Sequence, residues 1–241
     1  MKGIILSGGS GTRLRPLTKI TSKQLLPVYN KPMIYYPLNT LIKAGIKEIL
    51  IIVAPERAGD YLNLLGSGKE FGVKFTYEIQ DKPAGLPEAF IIGESFIGKE
   101  DVTMILGDNI FEDDFAEDIK SFKSGAKVFA RRVPDPERFG VVKFDDQMHA
   151  VQVEEKPQTW ISDYALTGLY VYDNRVVEVA KNCQPSSRGE LEIVDLHRWY
   201  LDKGELDVAM VHGEWLDAGT FESLLRAQNF AKEKMQDKMV I

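Results

Sequence analysis

The first part of the chain alternates short apolar runs with segments of helical periodicity. Apolar runs predict strands at 3–6, 48–53, 73–79 and 102–106. Between them, apolar residues at helical spacing predict helices at 34–44, 57–65 and 86–96. Strands that are apolar almost throughout are typical of a parallel sheet that is covered on both faces. The pattern therefore indicates an α/β fold, a Rossmann-like and mostly parallel sheet sandwiched by helices.

After about residue 125 the pattern changes to short strands that are separated by turn-forming residues. The predicted strands are 126–131, 140–144, 150–154 and 165–172, and the predicted helices that follow are 190–202 and 220–236. Ser187 and Glu190 have the spacing of a capping box, which predicts a helix start here with Arg188 in the first turn. We expect these strands to add a mixed β region, within a single domain over residues 1–241.

Composition and charge exclude several classes of protein. Of the 241 residues, 44% are apolar, which excludes a disordered chain. The net charge of −6 argues against a nucleic-acid-binding protein. The one cysteine, Cys183, cannot form an internal disulfide and favours a reducing compartment. Because no apolar run is long enough for a signal peptide or a membrane span, we expect a cytoplasmic protein without membrane partners.

A glycine-rich loop follows the first strand directly. Gly8, Gly9 and Gly11 would let backbone amides approach a phosphate group, although a tight strand-to-helix turn is the alternative. The loop does not match the dinucleotide-binding fingerprint, which needs a glycine where this chain has Leu14. It also lacks the Gly-Lys-Ser/Thr ending of the Walker motif. Neither of these two nucleotide-binding motifs is therefore present.

Basic side chains cluster just behind this loop. Arg13, Arg15, Lys19 and Lys23 all precede the first acidic residue of the chain, Glu48. Several cations are needed to neutralise a triphosphate. We select Arg13 and Lys23 as phosphate ligands and expect the other two to be solvated surface residues.

Six ordered blocks of sequence resemble the sugar-nucleotide pyrophosphorylases. The blocks cover residues 8–28, 106–111, 135–141, 154–157, 187–193 and 215–220. The resemblance implies a nucleotide-diphospho-sugar transferase fold, with the nucleotide held by about 1–125 and the sugar phosphate by about 126–241. It is greatest to members that join dTTP to glucose 1-phosphate for deoxy-sugar and polysaccharide synthesis. Longer members continue with a C-terminal extension that is implicated in feedback control, so this chain resembles a short form.

The resemblance also assigns individual roles to residues of this chain. The implied nucleotide ligands are Leu6, Gly8, Gly9, Gly11, Thr12, Arg13, Gln24, Gln80 and Gly85, with Gln80 on the pyrimidine base. The implied ligands of the sugar phosphate are Asn109, Gly140, Glu155, Lys156, Thr167, Tyr170 and Arg188. The implied catalytic residues are Arg13, Lys23, Asp108, Lys156 and Arg188. Pairing of Arg188 with Glu190 or Glu192 is the alternative, and Trp215 remains open between core and pocket wall.

Two aspartates are the candidates for binding a metal ion. Asp108 follows a buried strand, at the edge where open parallel sheets place their ligands, and Asp217 precedes the last predicted helix. Two carboxylates together with phosphate oxygens suit Mg²⁺. Taken alone, each aspartate would more often be a turn or cap residue. Beside the glycine-rich loop and the family blocks, the metal interpretation is favoured.

Several alternatives stay open at the level of sequence. The same chemistry with UTP or with another sugar 1-phosphate is one, and a non-catalytic relative that binds nucleotide-sugars is another. The expected partners are small molecules and further copies of the chain. For self-association, Phe221, Leu224, Leu225 and Gln228 form a partly apolar helix face, although a stripe that packs on the core explains such spacing as well.

Overall fold

A nine-stranded mixed sheet divides the molecule into two layers of helices. The computed structural model describes residues 1–235 and 238–241. The strands are β1 (Lys2–Ser7), β2 (Pro27–Val28), β3 (Lys31–Pro32), β4 (Glu48–Val53), β5 (Lys74–Ile79), β6 (Val102–Leu106), β7 (Asn109–Phe111), β8 (Ala126–Arg132), β9 (Gly140–Phe144), β10 (Ala150–Glu155), β11 (Tyr164–Tyr172), β12 (Leu206–Met210) and β13 (Trp215–Asp217). The helices are α1 (Tyr35–Lys43), α2 (Ala58–Leu65), α3 (Glu88–Ile92), α4 (Glu94–Ile97), α5 (Ala116–Lys120), α6 (Val176–Asn182), α7 (Ile193–Asp202) and α8 (Phe221–Phe230).

The parallel part of the sheet comes from the first half of the chain. The main path of the sheet runs β10–β9–β11–β6–β1–β4–β5, and β8 and β12 extend it from β11. β1 is parallel to β4 and β6, and β4 is parallel to β5. β11 is antiparallel to β6 and to β8, which joins the second half to the first. The predicted α/β class with an added mixed β region is confirmed.

Both faces of the central strands are buried, which explains their unbroken apolar sequences. Along β1, Ile4 and Leu6 belong to a core shared with α3, α6 and α7, whereas Ile5 belongs to a core shared with α1, α2 and α5. Successive side chains of a strand point to opposite faces, so one apolar run supplies two cores. A third, smaller core lies under α8, around Leu14 and Leu216.

The helix start predicted near residue 190 is wrong. Residues 186–190 close into a hydrogen-bonded turn of their own, and α7 begins at Ile193 without a side-chain cap. Ser187 and Glu190 therefore do not form a capping box. Arg188 lies in the turn before the helix rather than in its first turn.

Two other predicted helices are interrupted. The helix expected at 86–96 is split at Gly93 into α3 and α4, because glycine has a low helix propensity. The helix expected at 220–236 ends at Phe230 and continues as a π-helical turn over Ala231–Met235. Gln236, the last residue of that predicted helix, lies outside the described residues. Among the helices that the structure describes, none combines the length and apolarity needed to cross a membrane.

Candidate active site

A cleft of about 370 Å³ opens at the carboxyl ends of the parallel strands. One wall follows β1, β5 and β6, through Leu6, Gln80 and Asp108. The opposite wall comes from β9, β10 and β11 and from the turn before α7. Ligands of open α/β sheets bind at this edge of the sheet. The cleft therefore lies between the two halves that the sequence assigned to nucleotide and sugar phosphate.

Most of the residues selected from the sequence line this cleft. They are Leu6, Gly9, Arg13, Lys23, Gln24, Gln80, Gly85, Asp108, Asn109, Gly140, Glu155, Lys156, Thr167, Tyr170, Arg188 and Asp217. Gly8, Gly11 and Thr12 are not among the lining residues. Gly8 lies behind Gln80, Gly11 packs against Thr18 with a left-handed φ of 60°, and Thr12 is exposed in the following turn. The ligand-binding roles of all these residues stay predictions.

A short antiparallel pair of strands, β7 with β13, brings the two candidate metal ligands together. Asp217 is in register with Asn109. The backbone N–H of Ala218 donates to the carbonyl oxygen of Asp108 at 3.0 Å. The carboxylates of Asp108 and Asp217, far apart in sequence, consequently face the same part of the cleft.

A partly buried lysine contacts the first of these two carboxylates. The ammonium group of Lys23 donates to Asp108. Burial acts to raise the pKa of Asp108, but the adjacent Lys23 cation outweighs burial and holds this pKa below its usual value. Burial and the charge of Asp108 together raise the pKa of Asp217 to about 6. Lys23 thus compensates mainly one of the two carboxylates.

The pair of aspartates fits a hard divalent cation. The Oδ1 atom of Asp217 is buried and accepts no hydrogen bond from the described residues. Such an oxygen is costly to leave without a partner, and a cation would supply one. In the described part of the chain, no group of three or more His, Cys, Asp or Glu residues could hold a metal ion. The two aspartates would therefore share the ion with phosphate or water oxygens.

Arg13 reaches the same place from the glycine-rich loop. Gly219 lies beside both groups, because a Cβ atom built there would be 2.8 Å from Nη2 of Arg13 and 2.9 Å from Oδ1 of Asp217. The missing side chain of Gly219 leaves the room in which guanidinium and carboxylate converge. Together with Lys23, this arrangement places two cations next to the two aspartates.

Two buried amides lie at the end of the cleft that the sequence assigns to the nucleotide. Gln80 donates from Nε2 to Oε2 of Glu88 at 2.6 Å. Oε1 of Gln24 accepts from the hydroxyls of Ser22, at 2.7 Å, and Tyr61, at 3.2 Å. Each amide therefore has one end fixed by the protein, and its other end makes no hydrogen bond to the described residues.

On the opposite wall, the cations are paired with acidic side chains. Arg188 donates from Nη2 to Glu192 at 2.7 Å and to Glu155 at 3.4 Å. Nζ of Lys156 lies 3.5 Å from Oε1 of Glu155. Pairing of Arg188 with Glu192 is thus confirmed, and no ion pair with Glu190 occurs in the described residues.

The sequence profile of the nucleotidyl transferase family matches residues 2–234. This match spans both walls of the cleft. The chain belongs to the nucleotidyl transferase family. A glucose-1-phosphate thymidylyltransferase of Neisseria meningitidis serogroup A is 56% identical over 238 residues, which cover 96% of this chain and 83% of the relative. The resemblance seen in the sequence blocks is confirmed.

Solved structures show the same fold. A Bacillus anthracis protein, provisionally named glucose-1-phosphate thymidylyltransferase and crystallised with sucrose, superposes with a TM-score of 0.91 at 48% identity. The superposition covers 97% of this chain and 96% of that one. A UDP-glucose pyrophosphorylase in complex with UDP-glucose superposes with a TM-score of 0.85 at 23% identity, over 97% and 98% of the two chains. The nucleotide-diphospho-sugar transferase type of fold is confirmed.

In this nucleotidyl transferase, Asn109 connects β7 to β13 next to the two aspartates. Its Oδ1 accepts from Nε1 of Trp215 at 2.6 Å and from the N–H of Gly168 at 3.0 Å. Its Nδ2 donates to Asp108 at 3.2 Å. Both ends of the amide are engaged inside the protein, so the observed contacts of Asn109 are structural. Trp215 is both core and pocket wall.

Sequence reasoning missed part of the wall of this nucleotidyl transferase. The lining residues that it did not select as ligands are Pro83, Leu86, Leu106, Arg138, Phe139, Leu166, Gly168, Glu190, Leu191, Glu192, Ile193, Val194 and Trp215. Many of them lie inside the blocks 135–141, 187–193 and 215–220, so the blocks themselves carried the signal. It also missed Glu88, which accepts a hydrogen bond from Gln80 but does not itself line the cleft.

Proposed function

We propose that this nucleotidyl transferase joins dTTP to glucose 1-phosphate, giving dTDP-glucose and pyrophosphate. An oxygen of the sugar phosphate attacks the α-phosphorus of dTTP in line, the bond from that phosphorus to the β-phosphate oxygen breaks, and pyrophosphate leaves. The observation that carries this proposal is the cleft in which Arg13 and Lys23, beside two aspartates, face Lys156 and Arg188. The names of relatives at 56% and 48% identity support the choice of substrates.

The residues of the cleft overcome repulsion between two polyanions. The attacking phosphate is already an anion near neutral pH, so no general base is needed. Like charges ~4 Å apart repel by about 1 kcal/mol per pair in water and about fourfold more at a partly dry site. Arg13 and Lys23 offset this repulsion on the triphosphate, and Lys156 and Arg188 do so on the sugar phosphate.

The metal ion that we propose for the reaction is Mg²⁺, which Asp108 and Asp217 would hold. When bound, Mg²⁺ supplies further neutralisation of the phosphate oxygens. The buried, unpartnered Oδ1 of Asp217 and the raised pKa of this residue support such a site. Lys23 keeps Asp108 ionised, because its ammonium group already contacts that carboxylate.

The glucose ring lies against β9, β10 and β11. Glu155 accepts hydrogen bonds from sugar hydroxyls, a task that suits a carboxylate, which has no proton to donate. Gly140 leaves room beside this carboxylate, because a Cβ atom there would lie only 3.1 Å from Oε2 of Glu155. The hydroxyl of Thr167 is buried in the same wall and has no partner among the described residues, so it is available to a ligand.

The test is release of pyrophosphate in the presence of glucose 1-phosphate and Mg²⁺, with dTTP, UTP, CTP, ATP and GTP compared in parallel. We expect the fastest release with dTTP, UTP to come second, and EDTA to abolish the reaction. Faster release with UTP would keep the mechanism and replace the substrate. No release with any nucleotide or several sugar phosphates would favour a nucleotide-sugar-binding protein.

We also propose that the enzyme self-associates through α8. Leu224 of this helix is buried in the third core, whereas Phe221 and Leu225 are 44% and 59% exposed. Two large apolar side chains on one helix favour burial against another copy. Light scattering coupled to size-exclusion chromatography tests this, and a monomeric mass would contradict it. The cytoplasmic location of the protein and its role in deoxy-sugar synthesis stay predictions.

A further inference from the structure

We propose that Glu88 determines which pyrimidine base the cleft accepts, because it fixes the orientation of the Gln80 amide. Glu88 is the first residue of α3 and does not line the cleft. It is therefore a positioning residue that acts through Gln80. The inference rests on the proposed function and on the role that the sequence resemblance implies for Gln80, which is to face the pyrimidine base.

The contact with Glu88 leaves Gln80 only one orientation. Oε2 of Glu88 accepts from Nε2 of Gln80 at 2.6 Å and from the backbone N–H of Ala84 at 3.1 Å. A carboxylate has only acceptor atoms, whereas an amide has one acceptor end and one donor end. Were the amide of Gln80 reversed, two oxygens would face each other. Glu88 therefore holds the NH₂ group, and the oxygen of Gln80 is at the other end.

The position of this oxygen is fixed from a second side. A Cβ atom built on Gly8 would lie 2.1 Å from Oε1 of Gln80, so the oxygen occupies the room that Gly8 leaves. Gln80 is only 3% exposed but contributes to the cleft wall. Among the described residues, no donor reaches Oε1. The amide therefore offers an unused acceptor at the edge of the cleft.

An acceptor at this place distinguishes the pyrimidines by the N3 atom of the ring. Thymine and uracil carry a hydrogen at N3 and can donate it to Oε1 of Gln80. Cytosine has a lone pair at N3, which would face the oxygen of Gln80 without a hydrogen between them. A binding site whose polar group is left unpaired by the wrong ligand discriminates strongly against it. Glu88 thus favours dTTP and UTP over CTP.

The same carboxylate also holds the loop that closes the base pocket. The backbone N–H of Ala84 donates to Glu88, and the carbonyl oxygen of Ala84 accepts from the N–H of Leu191 at 2.7 Å. Gly85 follows with a φ of 120° and forms a parallel bridge with Leu191. A test must therefore separate the effect on base preference from a general loosening of this loop.

The experiment measures the equilibrium Kd of dTTP and of CTP by calorimetry, which needs no turnover. The Glu88→Leu variant removes the acceptor and puts an apolar side chain of similar size in its place. In this variant we expect the CTP-to-dTTP ratio of Kd values to fall about tenfold or more. In Glu88→Gln, an oxygen can still accept from both donors, so we expect the ratio to stay near that of the wild type. If the leucine variant does not fold, Glu88→Ala takes its place.

Two further variants separate the specific effect from a structural one. Glu94 lies in α4, where its side chain pairs with Lys181 outside the cleft. The CTP-to-dTTP ratio of Kd values in Glu94→Leu should therefore equal that of the wild type. In a Gln80→Leu background, Glu88→Leu should cause no further change, because the pair acts as one unit.

The outcomes are distinct. An unchanged ratio in folded Glu88→Leu, or an equal fall in the Gln80→Leu background, would overturn the role of Glu88. A parallel loss of affinity for both nucleotides would show a loosened loop and would also overturn it. Absence of pyrophosphate release by the wild type would reject the proposed reaction but not the preference measured by binding.

Discussion

At the residue scale, the cleft depends on the room that two glycines leave because they have no side chain. The position of Gln80 needs the room at Gly8, and the approach of Arg13 to Asp217 needs the room at Gly219. In each case a methyl group would meet the polar end of a residue assigned to nucleotide or metal. These glycines are therefore needed because they leave room for a neighbouring side chain, and not because of an unusual backbone conformation.

A first prediction concerns Gly8→Ala. The new methyl group would displace Oε1 of Gln80 from its position, and we expect the KM for dTTP to rise by about tenfold or more. Steady-state kinetics at saturating glucose 1-phosphate measure this. Gly59→Ala in α2 is the matched control, because nothing lies within 4 Å of its Cβ position. An unchanged KM in Gly8→Ala would remove Gln80 from the nucleotide site.

A second prediction concerns Asp108→Asn. This change removes a proposed metal ligand, and we expect pyrophosphate release to fall by about 10²–10³-fold or more. The fold should persist, because Asp217 remains as an acidic neighbour of Lys23. Release is measured beside thermal unfolding, with exposed Asp60→Asn as the control. Near-normal turnover in a folded Asp108→Asn variant would contradict the metal assignment.

At the scale of elements, long strands could be predicted and short ones could not. Apolar runs located the central strands, because burial on both faces leaves a clear local pattern. β7 and β13 have three residues each, too few for any periodicity to show. Their pairing joins residues more than a hundred positions apart, and it brings Asp108 close to Asp217. The sequence could therefore suggest both aspartates but not their contact.

Local signals failed where the backbone hydrogen-bonds in another way. Ser187 and Glu190 have the spacing of a capping box, yet that segment closes into a turn before α7. The capping box that the structure contains is formed by Thr220 and Ser223 at the start of α8. Serine at the third helical position replaces the usual glutamate or glutamine, so the pattern does not reveal it.

A third prediction follows from this cap. Thr220→Ala removes the hydroxyl that accepts from the N–H of Ser223, and we expect the free energy of unfolding to fall by about 1 kcal/mol. Thr220→Ser keeps a hydroxyl and should restore most of the loss. Denaturation by urea measures both variants. Equal stability of the alanine variant and the wild type would show that α8 does not depend on its cap.

At the scale of the whole molecule, one buried histidine couples stability to pH. His197 is fully buried and packs against the rings of Tyr170 and Tyr172, and neither ring nitrogen has a partner in the described residues. Burial lowers the pKa of His197 to about 3, from an ordinary value of 6.5. The unfolded chain thus binds a proton between these values, whereas the folded chain does not.

A fourth prediction is the resulting loss of stability in acid. The contribution of His197 is complete above pH 6.5 and is lost as the pH falls from 6.5 toward 3, by about 2 kcal/mol at pH 5. Urea denaturation at pH 8 and pH 5 measures it. His197→Leu should reduce the difference between these two pH values, and exposed His149→Gln should not. An equal difference in all three proteins would contradict the neutral, buried state.

The paired cations of the cleft have a consequence for the response to salt. On the wall assigned to the sugar phosphate, Lys156 contacts Glu155 and Arg188 contacts Glu192. In the proposed complex, the phosphate of glucose 1-phosphate would replace these carboxylates of the protein, so few dissolved counterions would be released. Release of such ions is what makes polyanion binding weaken steeply with ionic strength. The KM for glucose 1-phosphate should consequently rise only slightly as potassium chloride is added.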